Sequence, residues 1–113
     1  MSVWDADVIF APAMLPLLGI SEIRGRDALE RFFRDDIAAG WDDFHVDVEP
    51  IDDQRGALLV RSRYSGRIKG SEAPLEANRF TVYEYDDDDM FTSMRDYERE
   101  EDAREAIAAR RRR

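Results

Sequence analysis

Residues 80–97, FTVYEYDDDDMFTSMRDY, decide the fold. Two stretches rich in apolar and aromatic residues, Phe80–Tyr85 and Met90–Tyr97, flank four consecutive aspartates and predict a pair of strands. The acidic tip between them predicts a solvated turn, because aspartate tolerates turn geometry. A calcium site at this tip is disfavoured, since adjacent ligands seldom converge without a glycine-spaced loop. One carboxylate, Asp96, lies within the second strand, where a charge is costly unless it is solvated, paired or used.

The remaining chain predicts further strands around one well-marked helix. Apolar residues recur at three- and four-residue spacing over residues 26–39, and Gly40 follows them, which predicts a helix. A proline-broken loop is expected to run through Gly19, and a short alanine-rich helix is expected over 100–109. The other predicted strands are residues 8–11, 44–49 (ending at Pro50), 58–64 and 75–85. This order predicts a single α+β domain over residues 1–113, with an antiparallel sheet and a helix packed on one face.

Composition excludes several classes of function. The 113 residues include 26 acidic and 17 basic side chains, and the formal charge of −9 disfavours nucleic acid as the main partner. The chain contains no cysteine and one histidine, so neither a thiolate nor a histidine-rich metal site is expected. No cofactor motif, signal peptide or membrane helix is recognisable, and the lack of cysteine favours a cytoplasmic location.

Four stretches together resemble one protein superfamily. They are Trp4–Val8, Ile23–Phe33, Phe80–Tyr85, and Arg95-Asp96-Tyr97 before Glu101-Asp102-Ala103. In this order and spacing they resemble the SnoaL-like branch of the nuclear transport factor 2-like (NTF2-like) superfamily, which includes ketosteroid isomerases and polyketide cyclases. The resemblance implies a curved antiparallel sheet wrapped with helices into a cone, an apolar pocket in its mouth, and a homodimer.

The resemblance also raises an expectation about the start of the domain. Relatives usually carry a helix pair before the segment that matches Trp4–Asp7, whereas only Met1-Ser2-Val3 precede it here. The domain is therefore expected to be N-terminally short, with an open pocket, a covering partner chain or a true start upstream. The upstream start is favoured, because a large exposed apolar patch is unfavourable for a soluble monomer.

Asp96 is the leading catalytic candidate. By strand alternation it shares a face with Met94 and Thr92, and a carboxylate in such a mostly apolar setting can exchange a proton near neutrality if water is excluded. An aspartate near this strand position resembles the acid/base group of SnoaL-like cyclases. The structural alternative is an ion pair with Arg79, Arg95 or Arg99, or a cap that satisfies amides near the start of the terminal helix.

Candidate pocket residues come from strand parity and from the resemblance. They are Trp4, Phe32, Tyr64, Arg79, Thr81, Tyr83 and Met94. The epoxide-hydrolase chemistry of this superfamily is disfavoured, because Thr81 stands two positions after Arg79 where an aspartate would be required as the base. His45 is a poor candidate base, since it alternates with Phe44 and Val46 and is expected to point to the outer face.

The sequence therefore favours a domain that binds a small apolar or polycyclic molecule in the cone of the sheet. Two alternatives remain open. One is a cyclase or isomerase that uses Asp96 as general acid/base next to a substrate carbonyl, with a tyrosine as oxyanion donor. The other is a protein-interaction module that binds through an exposed sheet, because a fold alone does not determine function.

Overall fold

The computed structural model describes residues 3–12 and 22–111. Nearly all of the predicted elements are present, and most strands are longer than their sequence patterns indicate. The elements are β1 (Trp4–Ala11), β2 (Ile23–Arg24), α1 (Arg26–Arg31), a π-helical turn (Phe32–Asp36), α2 (Ile37–Gly40), β3 (Trp41–Gln54), β4 (Ala57–Ile68), β5 (Leu75–Tyr85), β6 (Phe91–Tyr97) and α3 (Glu100–Arg111). The predicted proline-broken loop lies mostly outside the described residues.

The strands form one curved sheet in the order β2-β1-β6-β5-β4-β3. The α+β class is thereby confirmed, but the sheet is mixed rather than wholly antiparallel. Strand β1 pairs in parallel with β6, placing Phe10 beside Met94, and pairs antiparallel with the short strand β2. Neither pairing was predicted. Parallel partners far apart in sequence leave no local turn signal, and β2 has only two residues and therefore no recognisable strand pattern.

Strand β3 ends later than the sequence predicted. The prediction that Pro50 ends this strand is wrong, because β3 continues to Gln54. Proline lacks an amide hydrogen and is tolerated at the edge of a sheet, and β3 is the edge strand here. The register of the β3–β4 pairing also shifts between Pro50 and Asp52, so the regular hydrogen-bond ladder between these strands is interrupted next to the proline.

Two apolar clusters hold the sheet between helices. On one face, the helical segment of residues 26–40 contributes Leu29 and Phe32 to a core with Phe10 and Met94. On the other face, Ala103 and Ile107 of α3 pack against strands β4 and β5. Helices thus cover parts of both faces, whereas the sequence predicted a helix on one. None of the helices in the described ranges is both long and apolar enough to cross a bilayer.

Glycine starts the first helix and closes the β3–β4 hairpin. Gly25 precedes α1 with φ +91°, and its carbonyl accepts the amide hydrogen of Leu29 at 3.1 Å. Gly56 has φ +87° in the turn after β3, a conformation that side chains rarely adopt. The predicted aspartate tip also forms a turn, in which Asp86 Oδ1 accepts the amide hydrogens of Asp88 and Met90 at 3.0 Å each.

Candidate functional site

A partly open apolar cavity of about 180 Å³ lies between the helical segment and the concave face of the sheet. Its wall is built from strands β1, β3, β4, β5 and β6 and from the π-helical turn. The lining residues are Trp4, Phe10, Pro12, Phe32, Phe33, Phe44, Val46, Tyr64, Tyr83 and Met94.

The π-helical turn explains why two consecutive phenylalanines reach the cavity. Adjacent residues diverge around the axis of a regular α-helix, but Phe32 and Phe33 both line this cavity, where the helix widens locally. Phe32 is buried to 2 % exposure, whereas Phe33 is 44 % exposed. Phe32 therefore belongs to the core floor and Phe33 to the rim. π-Helical turns occur frequently at functional sites.

Strand pairing places Asp96 on the cavity side of the sheet. Thr81 of β5 lies directly opposite Asp96 of β6, and Tyr83 lies opposite Met94. Alternation then puts all four side chains on one face. Asp96 is half-buried and is not itself a lining residue, so it lies behind Tyr64 and Tyr83 rather than in the wall.

A chain of hydroxyl groups holds the Asp96 carboxylate. Tyr64 donates to Oδ2 at 2.7 Å, and Thr81 donates to Oδ1 at 2.5 Å. Ser62 Oγ lies 2.7 Å from Thr81 Oγ1. Since Thr81 has one hydroxyl hydrogen and gives it to Asp96, Ser62 must donate to Thr81. The order of donation is therefore Ser62 to Thr81 to Asp96, with Tyr64 donating from the other side.

The hydrogen bonds to Asp96 link three neighbouring strands. Tyr64 lies on β4, Thr81 on β5 and Asp96 on β6, so the Tyr64 side chain spans the central strand to reach its acceptor. Ser62 and Thr81 are fully buried. Because buried polar groups are costly without partners, their mutual hydrogen bond is what makes two hydroxyls tolerable inside this sheet.

Burial and the negative charge of Asp96 change how two tyrosines titrate. Burial, and after it the charge of Asp96, raise the pKa of Tyr83 to about 12. The same two causes, in the same order, raise the pKa of Tyr64 well above its usual range. The phenol of Tyr64 is engaged with Asp96, whereas no hydrogen bond from the Tyr83 hydroxyl is seen within the described part of the chain. Tyr83 is thus a neutral donor in the cavity wall.

The raised pKa of Tyr83 predicts a loss of stability in alkali. Tyrosine in the unfolded chain deprotonates near pH 10, while folded Tyr83 stays protonated to about pH 12, so its contribution to stability is complete below pH 10 and is lost between these values. We expect Tyr83→Phe to flatten the decline in unfolding free energy over this interval by about 2–3 kcal/mol, measured by urea unfolding at successive pH values. Tyr85→Phe, which removes the hydroxyl donating to exposed Asp53, is the matched control. An unchanged slope in Tyr83→Phe would contradict the assignment.

The structure brings most predicted pocket residues together but separates one. Trp4, Phe32, Tyr64, Tyr83 and Met94 line the cavity, and Thr81 contacts Asp96 behind it. Arg79 lies on the same face of β5, but its guanidinium donates to the backbone carbonyl of Asn78 at 2.8 Å and does not line the cavity.

The arginines proposed as ion-pair partners of Asp96 have other surroundings. Arg95 precedes Asp96 on β6 and therefore points to the opposite face of the sheet. Arg99 forms ion pairs with Glu101 and Asp102 at 2.8 and 3.1 Å. Two hydroxyl groups, those of Tyr64 and Thr81, donate to Asp96.

His45, Trp41 and Tyr97 do not line the cavity. His45 is exposed and contacts Asp47 at 3.4 Å, on the outer side of β3 as its alternation indicated. Trp41 packs against Phe44, with ring centroids 5.5 Å apart, and Tyr97 packs against the α3 cluster. Within residues 3–12 and 22–111, no three acidic or histidine side chains converge as a metal site would require.

Sequence reasoning missed Ser62 and three of the seven aromatic residues of the wall. Ser62 shares a strand face with Tyr64, so parity alone could have nominated it. Phe10, Phe33 and Phe44 gave only the signal of core residues, because an aromatic side chain facing a cavity and one facing a filled core have the same sequence pattern.

The fold of this chain is shared with solved structures. A hypothetical protein with a ketosteroid isomerase-like fold from Catenulispora acidiphila, in complex with trimethylamine, superposes with a TM-score of 0.69 at 19 % identity, covering 84 % of this chain and 68 % of that one. The chain has the ketosteroid isomerase-like, or NTF2-like, fold. An NTF2-like protein of unknown function from Burkholderia pseudomallei gives 0.68 at 13 % identity, covering 84 % and 72 % of the two chains.

A third structure with the NTF2-like fold was solved with a steroid derivative. RV0760c from Mycobacterium tuberculosis, in complex with estradiol-17β-hemisuccinate, gives a TM-score of 0.67 at 20 % identity, covering 88 % of this chain and 78 % of that one. No protein-family model and no curated protein sequence matches this chain. The likeness therefore establishes the NTF2-like fold and leaves the SnoaL-like branch as a prediction.

Proposed function

We propose that this NTF2-like domain binds a small apolar molecule in the cavity between the helical segment and the sheet. The observation that carries the proposal is the cavity itself, which has an almost wholly apolar wall and a Tyr64–Asp96 hydrogen bond behind it. Pockets for small molecules combine these features, an apolar lining with a few placed polar groups.

The cavity volume limits the size of the occupant. An apolar cavity of about 150 Å³ is enough to bind benzene. At about 180 Å³ this cavity suits a single ring or a compact branched group, and a polycyclic molecule would have to extend through the open side past Phe33 and Val46. The solved relatives support ligand binding by this fold at both extremes of size, since one was solved with trimethylamine and another with a steroid derivative.

Filling the mouth of the cavity should abolish binding without disturbing the core. Val46 lines the cavity and is 40 % exposed, so we expect Val46→Trp to place an indole in the opening and to lower the affinity for a benzene-sized aromatic probe at least tenfold. Binding would be measured from probe-induced NMR shifts.

Val48→Trp is the matched control for this experiment. Val48 is two positions along the same strand, is 54 % exposed and does not line the cavity. Equal binding to the wild type and Val46→Trp, or equal losses in Val46→Trp and Val48→Trp, would reject the cavity as the binding site. A wild-type protein that binds no probe would reject the proposed function.

The placement of Asp96 favours one second candidate, a cyclase or isomerase. Asp96 lies on the cavity face of β6, where Tyr64 and Thr81 fix its carboxylate by hydrogen bonds. Proton abstraction next to a carbonyl would exchange the α-hydrogens of a small ketone with D₂O. NMR detection of that exchange in the wild type, but not in Asp96→Asn, would favour the enzyme over the binding domain.

A further inference from the structure

The cavity wall is unusually rich in aromatic rings. Seven of its ten lining residues are aromatic: Trp4, Phe10, Phe32, Phe33, Phe44, Tyr64 and Tyr83. Several of them pack against one another, with Trp4 and Phe10 at 5.4 Å and Phe10 and Phe33 at 5.5 Å between ring centroids. The remaining three lining residues are Pro12, Val46 and Met94, so the described wall contains no basic side chain. Rings grouped in this way can offer their negative faces to a cation.

A carboxylate lies directly behind this wall. The hydroxyl groups of Tyr64 and Thr81 donate hydrogen bonds to the carboxylate of Asp96 at 2.7 and 2.5 Å, which fixes it beside the wall. Its negative charge acts on the phenols of both Tyr64 and Tyr83, which themselves line the cavity. The electrostatic field of Asp96 therefore extends into the space that a ligand would occupy.

We propose that the occupant of this cavity is a small organic cation of the quaternary or tertiary alkylammonium class. This inference rests on the proposed binding function and adds the charge of the ligand to it. Apolar burial alone would favour the neutral molecule over a cation of the same shape, because the cation loses more hydration. The aromatic faces and the Asp96 carboxylate favour the cation, and they disfavour a ligand that carries a carboxylate.

The size and chemistry of the cavity fit this class. A trimethylammonium group is compact and branched, has an apolar outer surface, and presents no hydrogen-bond donor when fully alkylated. It therefore needs no polar partner in the wall, which matches a lining in which the Tyr64 hydroxyl is already directed at Asp96. Aromatic groups are the usual means of recognising such cations.

The inference is tested with an isosteric pair of probes, choline and 3,3-dimethylbutan-1-ol. They have the same shape, and a positively charged nitrogen in the first replaces a neutral carbon in the second. We expect choline to bind at least about tenfold more tightly to the wild type, by calorimetry or NMR titration. Asp96→Asn should bring the two affinities close together, mainly by weakening the binding of choline.

Asp53→Asn is the matched control for the charge. Asp53 also accepts a tyrosine hydroxyl at 2.7 Å, from Tyr85, but in an exposed position away from the cavity. This variant makes the same change in net charge and should preserve the preference for choline. If Asp96→Asn fails to fold by circular dichroism, Tyr64→Phe provides the second variant, which keeps the carboxylate and should retain the preference.

Three outcomes would overturn the inference. Equal affinities of the two probes, or tighter binding of the neutral alcohol, would overturn the charge preference while leaving the proposed binding function intact. Equal loss of the preference in Asp53→Asn and Asp96→Asn would show that overall charge, and not the cavity, is responsible. Binding of neither probe, together with no binding of a benzene-sized aromatic, would reject the proposed function as well.

Discussion

Phe32→Ala is expected to lower the free energy of unfolding by about 3–5 kcal/mol. The Phe32 ring is 2 % exposed and packs with Phe10, Leu29 and Met94 in the core between the helical segment and the sheet. Truncation loses the transfer free energy of the ring and leaves a void that the surrounding strands can fill only in part. Since domains of this size have about 5–15 kcal/mol of total stability, the melting temperature should fall by more than about 10 °C.

Phe33→Ala provides the matched control, because it removes the same ring from the next residue. Phe33 lines the same cavity but is 44 % exposed, so its truncation should cost about 1 kcal/mol or less. Urea unfolding measures both variants, and Phe32→Leu serves if Phe32→Ala does not fold. Equal losses in Phe32→Ala and Phe33→Ala would show that the π-helical turn does not divide the two rings into core and rim.

Thr81→Val is expected to lower the free energy of unfolding by about 2–3 kcal/mol, although valine has nearly the shape of threonine. The change removes the donor to Asp96 Oδ1 and also removes the acceptor of the Ser62 hydroxyl. Both Ser62 and Thr81 are fully buried, so the serine hydroxyl would lose its partner in a place that water does not reach. Chemical denaturation of the purified variant measures the loss.

A double-mutant cycle separates the hydroxyl chain from simple packing. In Ser62→Ala/Thr81→Val the stranded serine hydroxyl is gone, so the double variant should be less destabilised than the sum of the single variants by about 1 kcal/mol. Thr92→Val is the control, since Thr92 donates to a neutral carbonyl, that of Glu84, at 3.3 Å, and its loss should cost about 1 kcal/mol or less. Strict additivity of Ser62→Ala and Thr81→Val would contradict the proposed order of hydrogen bonds.

The sequence predicted the elements well because their signals are local. The alternation of Phe44, Val46 and Val48 indicated a strand, and the spacing of Leu29, Phe32 and Phe33 indicated a helix, and both elements are present. The strand Leu75–Tyr85 has the predicted bounds. The predicted end of a strand was wrong where the position of that strand in the sheet decides its length. Pro50 is tolerated within β3 only because β3 is an edge strand.

Part of the cavity wall was predicted from the sequence, but the contacts between its residues were not. Strand parity correctly grouped Asp96 with Met94, and Thr81 with Tyr83. It could not show that the side chain of Tyr64 crosses β5 to reach Asp96, because this contact depends on how strongly the sheet curves. It also could not show that Arg79, on the same face of β5 as Thr81, does not reach the cavity.

The C-terminal strand pair, residues 80–97, illustrates which features follow from the sequence alone and which depend on the tertiary structure. By itself the sequence determined that these residues form two strands around an acidic turn and that Asp96 lies on the same face as Met94, because a period of two and a turn of aspartates are properties of the local chain. Only the tertiary structure decided that β1 pairs in parallel beside β6, that the curved sheet partly encloses a cavity, and that the hydroxyl groups of Tyr64 and Thr81 donate to Asp96. These features depend on contacts between residues distant in sequence, whose free energy is gained only when the whole sheet has formed.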